Sequence, residues 1–184
     1  MITNKKKLKR ETIAKSCFEL FTKSGFHNVS VSQIALTAGI GKGTIYEYFI
    51  NKEDIVLELM ECLQKEYDEA LHGMQNNKNI SKEELLLNIF DIFIDKQNKH
   101  HTKRAILKQF FIATITNPSE AILAYNQTLK NKYVQIINHK LKDEEKSIQL
   151  YDTILAQYLL SLTLEIDLAT TVESIINYHL KGEI

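Results

Sequence analysis

Four side chains in one stretch of the sequence can donate hydrogen bonds to phosphate oxygens. They carry hydroxyl or ammonium groups, which are common phosphate ligands, and they are Ser30, Lys42, Tyr46 and Lys52. The free N–H groups at the start of a nearby helix would add further phosphate contacts. Because the four residues are spread over 23 positions of the printed sequence, short helices must bring them to one surface. The chemistry indicates a surface that binds a polyanion.

Two short helices are predicted to position these groups. Ser30 and Gln33 form a capping box that predicts the start of the first helix, which ends near Ala38. A glycine turn, Gly39 to Gly41, separates it from a second helix that ends at about Phe49. The residues expected to face inward and set the angle between the helices are Ile34, Ala35, Ala38, Ile40, Ile45 and Phe49. This pattern is typical of a helix-turn-helix, spanning about residues 30–49.

The second helix presents groups that suit the major groove of DNA. Its predicted outward positions are Lys42, Gly43, Thr44, Tyr46, Glu47 and Tyr48. Gly43 lacks a side chain and would let the backbone approach DNA closely. For Glu47 two interpretations stay open: it accepts a hydrogen bond from a cytosine amino group, or it points away from the phosphates.

Charge is distributed unevenly along a chain whose net charge is zero. Residues 1–52 contain nine Lys or Arg and three Glu, a net charge of +6, so the remainder of the chain carries −6. A basic N-terminal part on an acidic body is expected of a protein that brings one end to a polyanion. A solvated lysine-rich surface is the alternative interpretation of the same pattern.

The rest of the chain also has helical periodicity. The first helix is predicted from about Lys7 to Ser24, and Gly25 ends it. Later helices are predicted from Asn51 to Gly73, from Ser81 to about Lys96, from about Lys103 to Thr116, from Asn117, from Asp143 and from Asp167. The sequence Asn117-Pro118-Ser119-Glu120 would place proline at the first helical position. We therefore predict an all-α fold of about nine helices.

The residues just described, read in order, resemble a known family. Gly25-Phe26, Val31-Ser32-Gln33-Ile34-Ala35, Ala38 to Phe49 and Asn51-Lys52-Glu53-Asp54 resemble the DNA-binding domain of TetR/AcrR-type repressors. The resemblance implies a helix-turn-helix DNA-binding domain over residues 7–67 and a helical ligand-binding and dimerisation domain over residues 68–184. It implies DNA contacts for Ser30, Gln33, Lys42, Gly43, Thr44, Tyr46, Tyr48 and Lys52. Gly41 stands where the family usually has serine, which removes a side-chain cap from this DNA-facing position.

A small-molecule site is predicted among the middle helices. Aromatic side chains are dense there and polar groups are interleaved, as in a mostly apolar cavity, although rings that simply fill a helical core would look the same. The resemblance places an inducer cavity in this region. The predicted lining residues are Tyr67, Phe90, Phe93, Phe110, Phe111, Tyr125, Asn126 and Tyr158.

The last two helices are predicted to form a homodimer interface. The helix after Asp143 is apolar on more than one side, so it needs cover on more than one side. The resemblance implies that both helices pair with their symmetry mates, and the predicted interface residues are Tyr151, Ile154, Tyr158, Val172, Ile175 and Ile176. Such a dimer would bind double-stranded DNA at a palindromic operator and release it when an inducer binds.

Other function classes fit the sequence less well. It shows no phosphate-binding glycine loop, zinc-protease motif or CxxC pair, so we expect no enzyme activity, cofactor or metal site. It also lacks an apolar run of the ~18 residues that cross a membrane, and a secretory signal, so we expect a cytoplasmic protein. Two alternatives remain: a DNA-binding architectural protein without an inducer, and a small helical enzyme acting on an apolar substrate.

Overall fold

A computed structural model describes residues 4–75, 80–94, 106–110, 112, 119–161 and 168–181. Over these residues the all-α prediction is confirmed, since they contain nine helices and the short helical run 106–110, and no strand. The helices are α1 (Asn4–Ser16), α2 (Phe18–Ser24), α3 (Val31–Thr37), α4 (Lys42–Tyr48), α5 (Lys52–Gln75), α6 (Lys82–Ile94), α7 (Glu120–Leu141), α8 (Glu144–Ser161) and α9 (Leu168–Lys181).

The single first helix predicted over residues 7–24 is two helices. The break lies at Cys17, whose backbone N–H bonds to the carbonyl of Ala14 at 3.1 Å, three residues back instead of four. The Ser16 hydroxyl donates to the carbonyl of Ile13 at 2.7 Å, and such back-bonding bends helices. Ile13, Ala14, Cys17 and Phe21 still share one buried face, so the apolar periodicity survives the break.

The predicted helix starts are mostly confirmed because their capping side chains are in place. Asn51 accepts from the Asp54 N–H at 2.9 Å, and Ser81 accepts from the Glu84 N–H at 3.0 Å. At α7 the cap is Ser119, which accepts from the Ile122 N–H at 3.2 Å. The position predicted for the proline is therefore wrong by two residues, because α7 begins at Glu120.

The chain divides into two compact units. One contains Met1–Glu69 with Ala105–Gln109, and the other contains Ala70–Arg104 with Phe110–Ile184. The first break lies two residues beyond the predicted boundary at residue 67. The short segment ending at Gln109 was predicted to lie in the C-terminal domain and instead groups with the N-terminal unit.

The C-terminal unit is a helical bundle with an aromatic core. Within it α6 packs on α7 and α9, and α8 packs on both α7 and α9. The ring of Tyr151 stacks on Tyr133 at 6.2 Å and lies 6.5 Å from Phe90, centroid to centroid. These rings belong to the interior that holds the four helices together.

Five of the six side chains predicted for the dimer interface belong to this interior as well. Their exposed fractions are 6% for Tyr151 and 0% for Ile154, Tyr158, Val172 and Ile176. A side chain this buried inside one protomer has little or no surface left for a partner, so its burial argues against each of these five as an interface residue. Ile175 is half-buried and still has surface to offer.

Candidate nucleic-acid interface

Helices α3 and α4 pack against each other and α1 packs on α4, which gives a three-element scaffold. Ile34, Ala35, Ile45 and Phe49 are at most 4% exposed and form the seam between them. The turn is closed by a hydrogen bond from the Ile40 N–H to the Ala35 carbonyl at 3.0 Å, and Gly39 has a φ of 66°, which favours glycine. The predicted helix-turn-helix is therefore present, with a rigid angle between its helices.

The outer face of α4 carries most of the predicted DNA contacts. Lys42, Gly43, Tyr46 and Glu47 are exposed, with Tyr46 at 53%, and Thr44 and Tyr48 are half-buried. Gly41 caps the helix without a side-chain hydrogen bond, as the sequence led us to expect. The Lys6 ammonium lies 6.0 Å from the centre of the Tyr48 ring, which adds a cation beside this face.

Gly43 has no steric reason within the protein to be glycine. A methyl group built at this position meets nothing within 4 Å, and its backbone φ is not in the left-handed region. Glycine costs a helix roughly 0.5–1 kcal/mol relative to alanine. A residue that weakens α4 and relieves no clash in the chain is best explained by the approach of another molecule to this backbone.

Ser30 and Gln33 are held in the predicted capping box. The Gln33 side-chain oxygen accepts from both the N–H and the hydroxyl of Ser30, at 2.8 and 2.9 Å, and the Ser30 oxygen accepts from the Gln33 N–H at 3.3 Å. Both residues remain exposed at the N-terminus of α3. The box orients this helix end, where backbone N–H groups favour an anion.

Lys52, which is predicted to bind a phosphate, also has hydrogen-bond partners within the chain. Its ammonium donates to the carbonyl of His27 at 2.7 Å and to the carbonyl of Val29 at 2.9 Å. Partial burial lowers the pKa of this lysine from its ordinary value. The cation thus sits on the loop before α3.

Arg10 is a site residue that sequence reasoning missed. Its guanidinium donates to Glu58 at 2.6 Å, to Asp54 at 2.8 Å and to the Tyr48 carbonyl at the end of α4, and it lies 4.4 Å from the centre of the Phe49 ring. It therefore joins α1 to the end of α4 and the start of α5. The available signal was the spacing of Asp54 and Glu58, which puts two carboxylates on one helix face.

Gln109 is a second missed residue. Its side-chain oxygen accepts from the Phe26 N–H at 3.1 Å, in the loop between α2 and α3. Phe26 itself is 5% exposed. Nothing local in the sequence around Gln109 indicates a partner 83 positions away.

The predicted ligand residues are only partly described. Phe90, Phe110 and Tyr158 are at most 1% exposed, Tyr125 and Asn126 are half-buried, and Tyr125 meets Phe110 edge to face at 5.6 Å between ring centres. The side chains of Tyr67 and Phe93 and the whole of Phe111 lie outside the described residues. The prediction that these eight line a ligand site remains a prediction.

Three further features of the described part of the chain bear on function. No group of His, Cys, Asp or Glu residues in it is arranged to hold a metal ion. No helix there has the length and apolar character needed to span a membrane. Cys17 and Cys62 are both free and buried, and burial raises the pKa of each thiol, as expected for small hydrophobic core residues.

The N-terminal part of the chain is similar in sequence to known bacterial regulatory proteins. The family model for bacterial regulatory proteins of the tetR family matches residues 13–59. The chain is 37% identical over 82 residues to the fatty acid metabolism regulator protein of Bacillus subtilis, a match covering 45% of this chain and 42% of that protein. It is 23% identical over 165 residues to the HTH-type transcriptional regulator UidR of Escherichia coli, covering 84% and 77%.

Solved structures share the fold over nearly the whole chain. One is the transcriptional regulator FadR from Bacillus subtilis in complex with stearoyl-CoA, with a TM-score of 0.71 at 19% identity, covering 94% of this chain and 98% of that one. Another is Thermus thermophilus FadR, a TetR-family transcriptional repressor, in complex with lauroyl-CoA, with a TM-score of 0.73 at 22% identity and coverage of 95% on both sides. At these identities the likeness establishes the fold.

Proposed function

We propose that the chain is a TetR-family repressor, since residues 13–59 match the model for bacterial regulatory proteins of the tetR family, and that it binds a palindromic operator and is released by a small, mostly apolar ligand. The observation that carries the DNA-binding part is the exposed face of α4. Lysine, tyrosine and an otherwise unexplained glycine lie together there on a helix fixed by a buried seam. Such a face suits major-groove readout, with Ser30, Gln33, Gly41 and Thr44 as flanking contacts.

Gly43→Ala should change stability and DNA binding in opposite directions. The methyl group meets no protein atom and favours the helix, so the free energy of unfolding should rise by up to about 1 kcal/mol. The same methyl group would crowd a closely approaching DNA backbone, and affinity should fall by about tenfold. Thermal unfolding and a gel-shift titration, on a duplex selected by the wild-type protein from a random library, measure the two effects.

Thr128→Ala is the matched control for that experiment. Thr128 is exposed on α7, so alanine should raise helix stability slightly and leave DNA affinity unchanged. Wild-type DNA affinity in Gly43→Ala would contradict close DNA approach at Gly43. If the wild-type protein enriches no sequence from the random library, specific DNA binding is contradicted.

The ligand class is proposed from the solved relatives, two of which hold a long-chain acyl-CoA. The C-terminal unit has the aromatic interior that an acyl chain prefers, including Phe90, Phe110 and Tyr125. A ligand that releases DNA must bind the state that does not hold DNA more tightly. By linkage, DNA must then weaken ligand binding by the same factor.

Isothermal titration with lauroyl-CoA, with and without saturating selected duplex, is expected to show weaker ligand binding in the presence of DNA. Allosteric couplings are typically about 1–3 kcal/mol, which corresponds to roughly 5–150-fold in affinity. Coenzyme A without the acyl chain is the control and should bind poorly in both conditions. Equal lauroyl-CoA affinity with and without DNA would remove this induction mechanism and favour a DNA-binding architectural protein.

A second copy of the chain is the proposed partner of α8 and α9. A groove of about 740 Å³ lies between the exposed sides of these helices, lined by Gln149, Thr153, Ser174, Ile175, Asn177, Tyr178, His179 and Lys181. Tyr178 is 51% exposed, and Ile148 on α8 is 36% exposed. An apolar surface on the two C-terminal helices suits an isologous contact, and a dimer would carry two copies of α4, one for each half of a palindrome. Ile175 is the predicted interface residue that this proposal retains.

A further inference from the structure

The loop between α2 and α3 is held to other elements by side chains. Gly25 begins it with a φ of 76°, and Phe26 and Val29 bury their side chains at 5% and 1% exposure. The Asn28 amide donates to the Ser24 carbonyl at 3.0 Å. The loop ends at Ser30, the N-cap of α3, so its position sets where that helix begins.

Lys52 links this loop by hydrogen bonds to the C-terminal end of the helix-turn-helix. It is the first residue of α5, directly after the residues that follow α4. Its ammonium has three donors, and it places two of them on the carbonyls of His27 and Val29, on the N-terminal flank of α3. One side chain thus links the residues just before α3 to the first residue after the helix-turn-helix.

We infer that Lys52 is a positioning residue: its bonds to the carbonyls of His27 and Val29 hold the start of α3 in register with α4, so that it contributes to discrimination between DNA sequences beyond any phosphate contact. This inference rests on the proposed DNA-binding function. A positioning cation and a phosphate ligand differ in two measurable ways. Losing a phosphate contact weakens binding to all sequences alike and lowers the salt dependence, whereas a displaced helix loses discrimination between sequences.

The test compares Lys52→Met with Lys42→Ala. Methionine retains a long apolar side chain and removes both carbonyl bonds, while Lys42 is an exposed lysine on the proposed DNA-facing surface. Affinities are measured over a range of salt concentrations on two duplexes of about 30 base pairs, room for two half-sites. One duplex is selected by the wild-type protein, and the other has a random sequence.

Lys52→Met should lose about tenfold more affinity for the selected duplex than for the random one. Lys42→Ala should weaken both duplexes and reduce the slope by about 1.8, which is about 0.9 for each protomer of the proposed dimer. Lys52→Arg, which retains cationic donors, should recover most of the discrimination. Unchanged discrimination in Lys52→Met would overturn the inference, and a reduced slope with it would leave Lys52 as a phosphate ligand alone.

Amide hydrogen exchange tests the same inference without DNA. Faster exchange at residues 30–34, where α3 begins, is expected in Lys52→Met, while exchange in α7 should match the wild type. Unchanged exchange at the start of α3 would overturn the inference even if DNA binding were lost. If the wild-type protein selects no sequence, the proposed function fails, and the exchange result still decides whether Lys52 holds the helix.

Discussion

Replacing Arg10 by methionine is expected to lower the free energy of unfolding by about 3–5 kcal/mol. The side chains of Arg10, Asp54 and Glu58 are 15%, 27% and 7% exposed, so the variant leaves two largely buried carboxylates without their cation. It also removes the donor to the last carbonyl of α4 and the cation that faces the Phe49 ring. Urea unfolding followed by circular dichroism at neutral pH measures the loss.

Lys23→Met is the control for this prediction. Lys23 pairs with Glu19 at 3.3 Å on the surface, where the two side chains are 76% and 80% exposed, and such pairs contribute little. Its stability should stay within about 0.5 kcal/mol of the wild type. A loss below about 1 kcal/mol in Arg10→Met would show that the cluster is not held as the structure describes.

The Arg10 effect should depend on pH. Burial acts to raise the pKa of Asp54, but the hydrogen bonds from Arg10 and from the Ile50 N–H, together with the Arg10 charge, hold it below the ordinary value of 3.8. Because the folded pKa is depressed, the stabilisation is present above the unfolded pKa and disappears as pH falls through the folded pKa. The difference between wild type and Arg10→Met should therefore be largest near neutral pH and shrink below pH 3.8.

The double substitution Ile175→Asp with Tyr178→Asp should convert a dimer into a monomer of 21.3 kDa. Both residues line the groove on α8 and α9, and the desolvation of two carboxylates in this contact would oppose association by several kcal/mol. Sedimentation equilibrium measures the mass. A monomer would also lose the avidity of two half-sites, so affinity for a palindromic duplex should fall by a factor on the order of 10²–10⁴.

The choice of Tyr178 over Ile176 matters because Ile176 is 0% exposed. An aspartate at Ile176 would disrupt the protomer's own core and test folding instead of assembly. Leu123→Asp is the matched control, since Leu123 is an apolar side chain, 50% exposed, on α7. It should remain dimeric and bind DNA normally. The proposed interface would be contradicted if the double variant still dimerised, or if the wild-type protein were monomeric at micromolar concentration.

Sequence alone was sufficient for the fold class and for the exposed outer face of α4, because both depend on local patterns. The capping box at Ser30, the glycine turn and the apolar spacing act over a few residues, and they correctly located α3, α4 and the buried seam between them. The same locality explains why Lys42, Gly43 and Tyr46 were correctly predicted to be exposed on one helix face.

The partners of polar side chains were decided only by tertiary structure. Arg10 binds carboxylates 44 and 48 positions away, Lys52 binds a carbonyl 25 positions away, and Gln109 binds an N–H 83 positions away. A lysine beside a helix-turn-helix looks the same in sequence whether its ammonium meets a phosphate or a carbonyl. Local spacing contains no information on which of two polar acceptors the folded chain brings within reach.

The local nature of sequence patterns also explains why most of the residues predicted for the dimer interface are buried in the protomer. Helical periodicity shows that α8 is apolar on more than one side and that α9 carries apolar residues, but it cannot tell which of these surfaces faces the protomer's own core and which faces a partner. The fold covers Tyr151, Ile154, Tyr158, Val172 and Ile176, and it leaves surface at Ile175 and Tyr178. That distribution depends on where α6 and α7 pack, and so only the tertiary structure could decide it.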